Sequence, residues 1–128
     1  MTEPVQIAVA LDGAGWHPAA WREADAQPRE LTSPRYWRDL VRAADAAGIV
    51  FATIEDALSF GGRGSGDGEP RTDRVRGRLD AVLLASYLAP LTRRIGLVPT
   101  VTTTHPEPFH LATARVVEGL QSLSLIHI

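Results

Sequence analysis

Apolar residues fall in three short, nearly continuous runs, separated by longer stretches in which they recur every three or four positions. The first run, Val5-Gln6-Ile7-Ala8-Val9-Ala10-Leu11, is β-branched and closes on Asp12-Gly13, the pattern of a strand buried on both faces. Ile49-Val50-Phe51-Ala52-Thr53-Ile54 is a second such run and ends in the paired carboxylates Glu55-Asp56. Residues 95–101 are the third. Between them, Ser33-Pro34 offers an N-cap with proline at the first helical position, and Trp37, Leu40, Val41 and Ala44 repeat at helical spacing up to Gly48. A second helical stripe of Leu79, Val82, Leu83 and Ser86 is stopped by Pro90, and a third helix begins near Pro106 or Pro108 with Phe109, Ala112, Val116 and Leu120 on one side.

Strand and helix therefore alternate three times, which predicts a parallel sheet with helices packed outside it. The two long loops, about 12–32 and 57–77, both follow strands, whereas the helix-to-strand returns are short. Long loops on one face only are the mark of an α/β barrel with its site at the strand C-termini, so the expected architecture is about three βα units of a (β/α)8 TIM barrel. Pro99 lacks the ladder N–H, and the expectation is that it sits near the end of its strand.

Composition narrows the class. With 45% hydrophobic and 22% charged residues, the 128-residue chain is globular, with one domain as the default. Fifteen acidic against 13 basic residues give a net charge of -2, which provides no field to attract nucleic acid or an anionic membrane. The absence of cysteine removes disulfides, thiol nucleophiles and Cys-ligated metals. The start is acidic, and the first apolar run is shorter than a secretory core or the ~20 residues of a membrane span, so a cytoplasmic location is expected.

Candidate chemistry collects after the strands. Trp16, His17, Trp21 and Arg22 lie on the loop behind the first strand, where they either line an aromatic pocket or pin the loop by indole packing. Glu55 and Asp56 face opposite ways as the second strand ends, so only one can enter a barrel mouth; a solvated turn is the other reading. Thr100, Thr102 and Thr104 alternate onto one face and Thr103 onto the other, either as a hydroxyl ladder for a polar cofactor edge or as residues simply at home in a strand. The glycine-rich stretch 61–69 reads as a flexible insertion, since no strand feeds it and no Lys-Ser or Lys-Thr follows. His105 and His110 are wrongly spaced for two ligands on one helical face, so no metal site is expected.

The last six residues, Leu123-Ser124-Leu125-Ile126-His127-Ile128, break the helical pattern without a cap. They are the translation of CTGTCTCTTATACACATC, a transposase end used in sequencing libraries. The expectation is a non-native tail at 123–128 behind a native segment 1–122 that continues in the gene, with His127 set aside as a ligand.

Three motifs, Gly-Trp-His-Pro-Ala-Ala-Trp-Arg at 15–22, Thr53-Ile54-Glu55-Asp56-Ala57, and Gly-Leu-Val-Pro-Thr-Val-Thr-Thr-Thr-His-Pro-Glu-Pro-Phe at 96–109, stand in an order and spacing that resembles the luciferase-like flavin monooxygenases. The nearest branch is that of nitrilotriacetate, dibenzothiophene sulfone and dimethyl sulfide monooxygenases. The resemblance implies a two-component system in which a separate flavin reductase supplies reduced FMN and this protein uses dioxygen to oxygenate a small organic substrate. It implies Asp56 and Thr102 or Thr103 against the flavin, Trp16 and His17 toward the substrate, and a homo-oligomer at full length. Flavin-phosphate ligands would come from later strands, and catalytic residues stay unassigned. His105, where the branch has an aromatic residue, and the glycine-rich insertion depart from the pattern and leave the substrate open. A deazaflavin-dependent oxidoreductase of the same superfamily and a non-catalytic flavin-binding relative are the alternatives.

Overall fold

Each apolar run becomes a parallel strand: β1 (Ala8–Leu11), β2 (Phe51–Ile54) and β3 (Gly96–Val101), in a sheet of order β1-β2-β3-β4. The computed structural model describes residues 5–56, 75, 77–102, 107–110 and 112–113, together with the backbone of β4 (Ile126–His127). Register runs Leu11↔Ile54 between β1 and β2 and Ile54↔Pro99 between β2 and β3, and every strand pair among the described residues is parallel. The central position of β2 is what right-handed crossovers between consecutive strands require. Residues 126–127 of the segment expected as a tail pair alongside Thr100 and Val101.

Helix α1 (Pro34–Ala46) and helix α2 (Ala81–Leu88) cover one face of the sheet. Proline opens α1 as expected, although the Ser33 side chain makes no cap bond. The C-terminus is better fastened. Gly48, at φ 79°, donates to the Asp45 carbonyl, and Ile49 donates to the Ala44 carbonyl, a Schellman closure that needs the left-handed residue. Asp80 caps α2 by accepting the Leu83 N–H at 2.8 Å.

The buried side of α2 differs from the expected stripe. Ala81, Leu84, Ala85 and Leu88 are buried, whereas Leu83 is 70% exposed. Ala-Val-Leu-Leu-Ala-Ser-Tyr-Leu is apolar nearly all round, so periodicity cannot fix its phase; the Asp80 cap and the sheet do. In the third helical segment Phe109 is 74% exposed and Ala112 is also exposed, while Val116 and Leu120 lie outside the described residues.

Pro99 stands inside β3, fully buried, instead of near its end. Gly96 donates to the Val50 carbonyl at 2.8 Å, so by alternation the N–H groups of Val98 and Thr100 also point at β2. The missing donor of Pro99 therefore falls on the opposite edge, one residue before pairing with β4 begins at Thr100. The β2–β3 ladder loses nothing.

Strand alternation sorts the side chains into two faces. Val9, Leu11, Ala52, Ile54, Leu97 and Pro99 face the helices, where Ile54, Leu97, Val41 and Leu88 are fully buried; each such aliphatic side chain contributes about 1.5–3 kcal/mol. Ala10, Thr53 and Val98 share the other face in register. On that inner face Ala8 and Ala10 are exposed and Phe51 is 40% exposed, so β1 is covered on one side only.

Candidate functional site

Extending the register by one residue places Asp12, Glu55 and Thr100 side by side at the C-terminal end of the inner face, one layer above Ala10, Thr53 and Val98. The Glu55 N–H continues the ladder to the Leu11 carbonyl at 3.2 Å, which keeps the extended geometry past the end of β2. The Thr100 hydroxyl then donates to Glu55 Oε2 at 3.5 Å, a long contact between a buried hydroxyl and a half-buried carboxylate. Of the two carboxylates that end β2, Glu55 thus shares the inner face with Thr100. Asp56, of opposite parity, is half-buried at the same end. Thr102 follows β3, half-buried, on the parity of Thr100; Thr103 lies outside the described residues.

A cation completes this end. Arg78, in the connection from β2 to α2, grips Asp12 with both arms, Nε to Oδ1 at 2.6 Å and Nη2 to Oδ2 at 2.8 Å. The Asp12 side chain is only 14% exposed and that of Arg78 35%. Arg78 is held above the usual arginine value, first by its bond to Asp12 and further, against the opposing effect of burial, by the charges of Asp12, Glu55 and Asp56. No periodicity marks Arg78, which sits among five arginines between 71 and 94; its partner is 66 residues away. Glu55, Arg78 and Gly77 also border a cleft of about 320 Å³, walled on the other side by Gly13, Leu31 and Trp37.

The loop after β1 is pinned from α1. The buried Trp37 indole donates to the Leu31 carbonyl at 2.7 Å, and the Tyr36 hydroxyl donates to the Gly13 carbonyl at 3.4 Å. Burial pushes the Tyr36 phenol above its usual value. Gly15 is obligatory within the loop: at φ 122°, a Cβ there would lie 2.8 Å from the Ala20 Cβ. Trp16, 61% exposed, and His17 ride on the outside of this turn, with His17 Nδ1 accepting the Ala19 N–H at 3.2 Å. Arg22 stacks over Trp21, 5.0 Å from the ring centroid. The described contacts bring Asp12, Glu55, Arg78 and Thr100 together; they hold Trp16 and His17 apart on the loop.

A polar layer at the carboxyl ends of parallel strands, backed by helices, stands where β/α barrels carry their sites. The luciferase-like monooxygenase family matches residues 14–124, and the chain belongs to that family. It is 32% identical over 120 residues to N-acetyl-S-(2-succino)cysteine monooxygenase of Bacillus subtilis (strain 168), covering 94% of this chain and 25% of the relative. It is likewise 32% identical over 105 residues to nitrilotriacetate monooxygenase component A of Aminobacter aminovorans, covering 77% of this chain and 23% of the relative. The chain thus spans about a quarter of the length of these curated relatives. Among solved structures, EDTA monooxygenase from Chelativorans sp. BNC1 superposes with a TM-score of 0.77 at 17% identity, over 95% of this chain and 27% of that one. Riboflavin lyase, solved with modified FMN and riboflavin, gives a TM-score of 0.77 at 23% identity, over 97% and 30%. The fold is accordingly the N-terminal portion, about three βα units, of a (β/α)8 barrel.

Proposed function

We propose that this chain forms the N-terminal part of an FMN-dependent monooxygenase of the two-component type, in which a separate reductase supplies reduced FMN and dioxygen oxygenates a small organic substrate. The observation that carries the reading is Glu55 bonded by Thr100 on the inner face at the strand ends of a luciferase-like monooxygenase chain. The name of the relative called component A supports the two-component arrangement. The relatives reported above are monooxygenases, which favours this reading over the deazaflavin-dependent alternative.

The residues present fit the ring of a flavin. Its polar edge carries an N–H donor and carbonyl acceptors; Glu55 supplies an acceptor, and the hydroxyls of Thr100 and Thr102 both donate and accept. Asp56, Thr102 and Thr103 are the proposed cofactor contacts, now joined by Glu55 and Thr100, and Trp16 and His17 the proposed substrate side. Bound FMN supplies the reducing equivalents that activate dioxygen. This chain's residues do the rest. Glu55, held by Thr100, fixes the ring edge, while the loop anchored by Tyr36 and Trp37 forms one wall that keeps water out.

The test is reduced-FMN affinity of the full-length enzyme carrying Glu55→Ala or Asp56→Ala, titrated anaerobically. A charged hydrogen bond lost to water costs about 1–3 kcal/mol, so at least one variant should bind roughly tenfold more weakly. Affinity and turnover unchanged in both would remove the end of β2 from the site.

A further inference from the structure

Three carboxylates, Asp12, Glu55 and Asp56, crowd the ends of β1 and β2, the same place at which the reading above seats an anionic cofactor. FMN carries a phosphate, and its reduced ring ionises near neutral pH, so uncompensated carboxylates there would oppose its binding. Among the described residues, the guanidinium of Arg78 meets them. Arg78 neutralises Asp12 through two hydrogen bonds of 2.6 and 2.8 Å and feels Glu55 and Asp56 as well. The pair is largely withdrawn from water, with Asp12 14% exposed, so the charge is only partly screened. The fork geometry also matters: a planar guanidinium bound at both arms holds Asp12 in one orientation.

We propose that Arg78 is a positioning residue of the flavin site, fixing Asp12 and cancelling its charge so that an anionic flavin can lie against Glu55 and Thr100. The inference rests on the flavin reading above. Arg78 approaches from the β2–α2 connection and also bridges that connection to the end of β1, so a purely structural role as a loop tether is the competing account.

A charge-removal cycle in the full-length enzyme separates the two. Reduced-FMN affinity is measured anaerobically for the wild type, Arg78→Met, Asp12→Asn and the double variant, each first checked for wild-type far-ultraviolet dichroism. Arg78→Met should weaken binding about tenfold, the scale of one uncompensated charge a few ångströms from an anion at intermediate dielectric. Asp12→Asn alone should stay within about threefold of wild type, and added to Arg78→Met it should restore most of the loss. A tether predicts the opposite: losing either partner breaks it, and losing both restores nothing. If Arg78→Met does not fold, Arg78→Gln, which keeps a donor for Asp12 but no charge, carries the comparison, with a roughly tenfold loss supporting the proposal and retained affinity overturning it. A wild type that fails to bind reduced FMN overturns the flavin reading and this proposal together. A wild type that binds, with a double variant no better than Arg78→Met, overturns this proposal alone.

Discussion

The indole N–H of Trp37 reaches the carbonyl of Leu31 at 2.7 Å, a buried bond that ties the first turn of α1 to the end of the loop leaving β1. Trp37 is 4% exposed and Leu31 9%, so neither group has water to replace the other. Trp37→Phe keeps most of the apolar body and removes only the donor. The stranded carbonyl should cost about 1–3 kcal/mol, with a further loss from the smaller ring. A urea midpoint unchanged from wild type would show that the bond does not hold the loop.

The opposite end of the sheet has its own anchor. Asp45 accepts three successive backbone N–H groups, from Arg93 at 3.1 Å, Arg94 at 3.0 Å and Ile95 at 2.9 Å, and so sets the return from α2 into β3. The bond from Ile95 is the main reason its carboxyl is held below the usual value, with those from Arg94 and Arg93 and the Arg94 charge adding to it and burial opposing. Because the folded value is depressed, the stabilisation is fully present above the unfolded carboxylate value of about 3.9 and is lost as pH falls through the folded value beneath it. Asp45→Asn should therefore be less stable than wild type at neutral pH, and the two urea midpoints should converge as pH falls below the unfolded carboxylate value. Profiles that stay parallel throughout acidification would assign the acid limb to other groups.

Glycines 15 and 48 both take positive φ, 122° and 79°, but only Gly15 is also crowded. An alanine at Gly48 meets nothing within 4 Å, so the left-handed backbone alone should cost about 1–2 kcal/mol. At Gly15 the added carbon would press on Ala20 from 2.8 Å, and the turn closed by the Gly15 N–H on the Asp12 carbonyl would have to open. Gly15→Ala should thus lose more stability than Gly48→Ala and increase amide exchange across residues 13–20. Equal losses in the two variants would mean that the turn simply relaxes.

Local pattern was enough for the framework. Strands of β-branched residues closed by Asp-Gly or paired acids, and a helix bounded by Pro34 and Gly48, declare themselves within a dozen residues, and parallel order follows from the crossovers. The phase of α2 was not legible, because a helix apolar on every side carries no stripe. That Glu55 shares a face with Thr100 needed the register, a contact 45 residues away. Arg78 was hidden for the same reason: only the fold brings it to Asp12.

The 128-residue chain by itself is expected not to oxygenate a substrate. A closed (β/α)8 barrel takes about 250 residues, and the inner face that a full ring of strands would enclose is exposed here at Ala8, Ala10 and Phe51. Leu83 at 70% and Phe109 at 74% exposure add apolar surface on the outside, so self-association is the expected solution behaviour. Barrel phosphate sites are usually built from the loops after strands seven and eight, so FMN would be held by its ring alone and only weakly. A site open to water on that face should direct reducing equivalents into hydrogen peroxide and leave substrate unchanged. The check is to titrate the purified chain with oxidised and reduced FMN while light scattering follows its mass, and to assay peroxide beside product. A soluble monomer that binds FMN at micromolar concentration and releases oxygenated product would show that the first three βα units already make a working site.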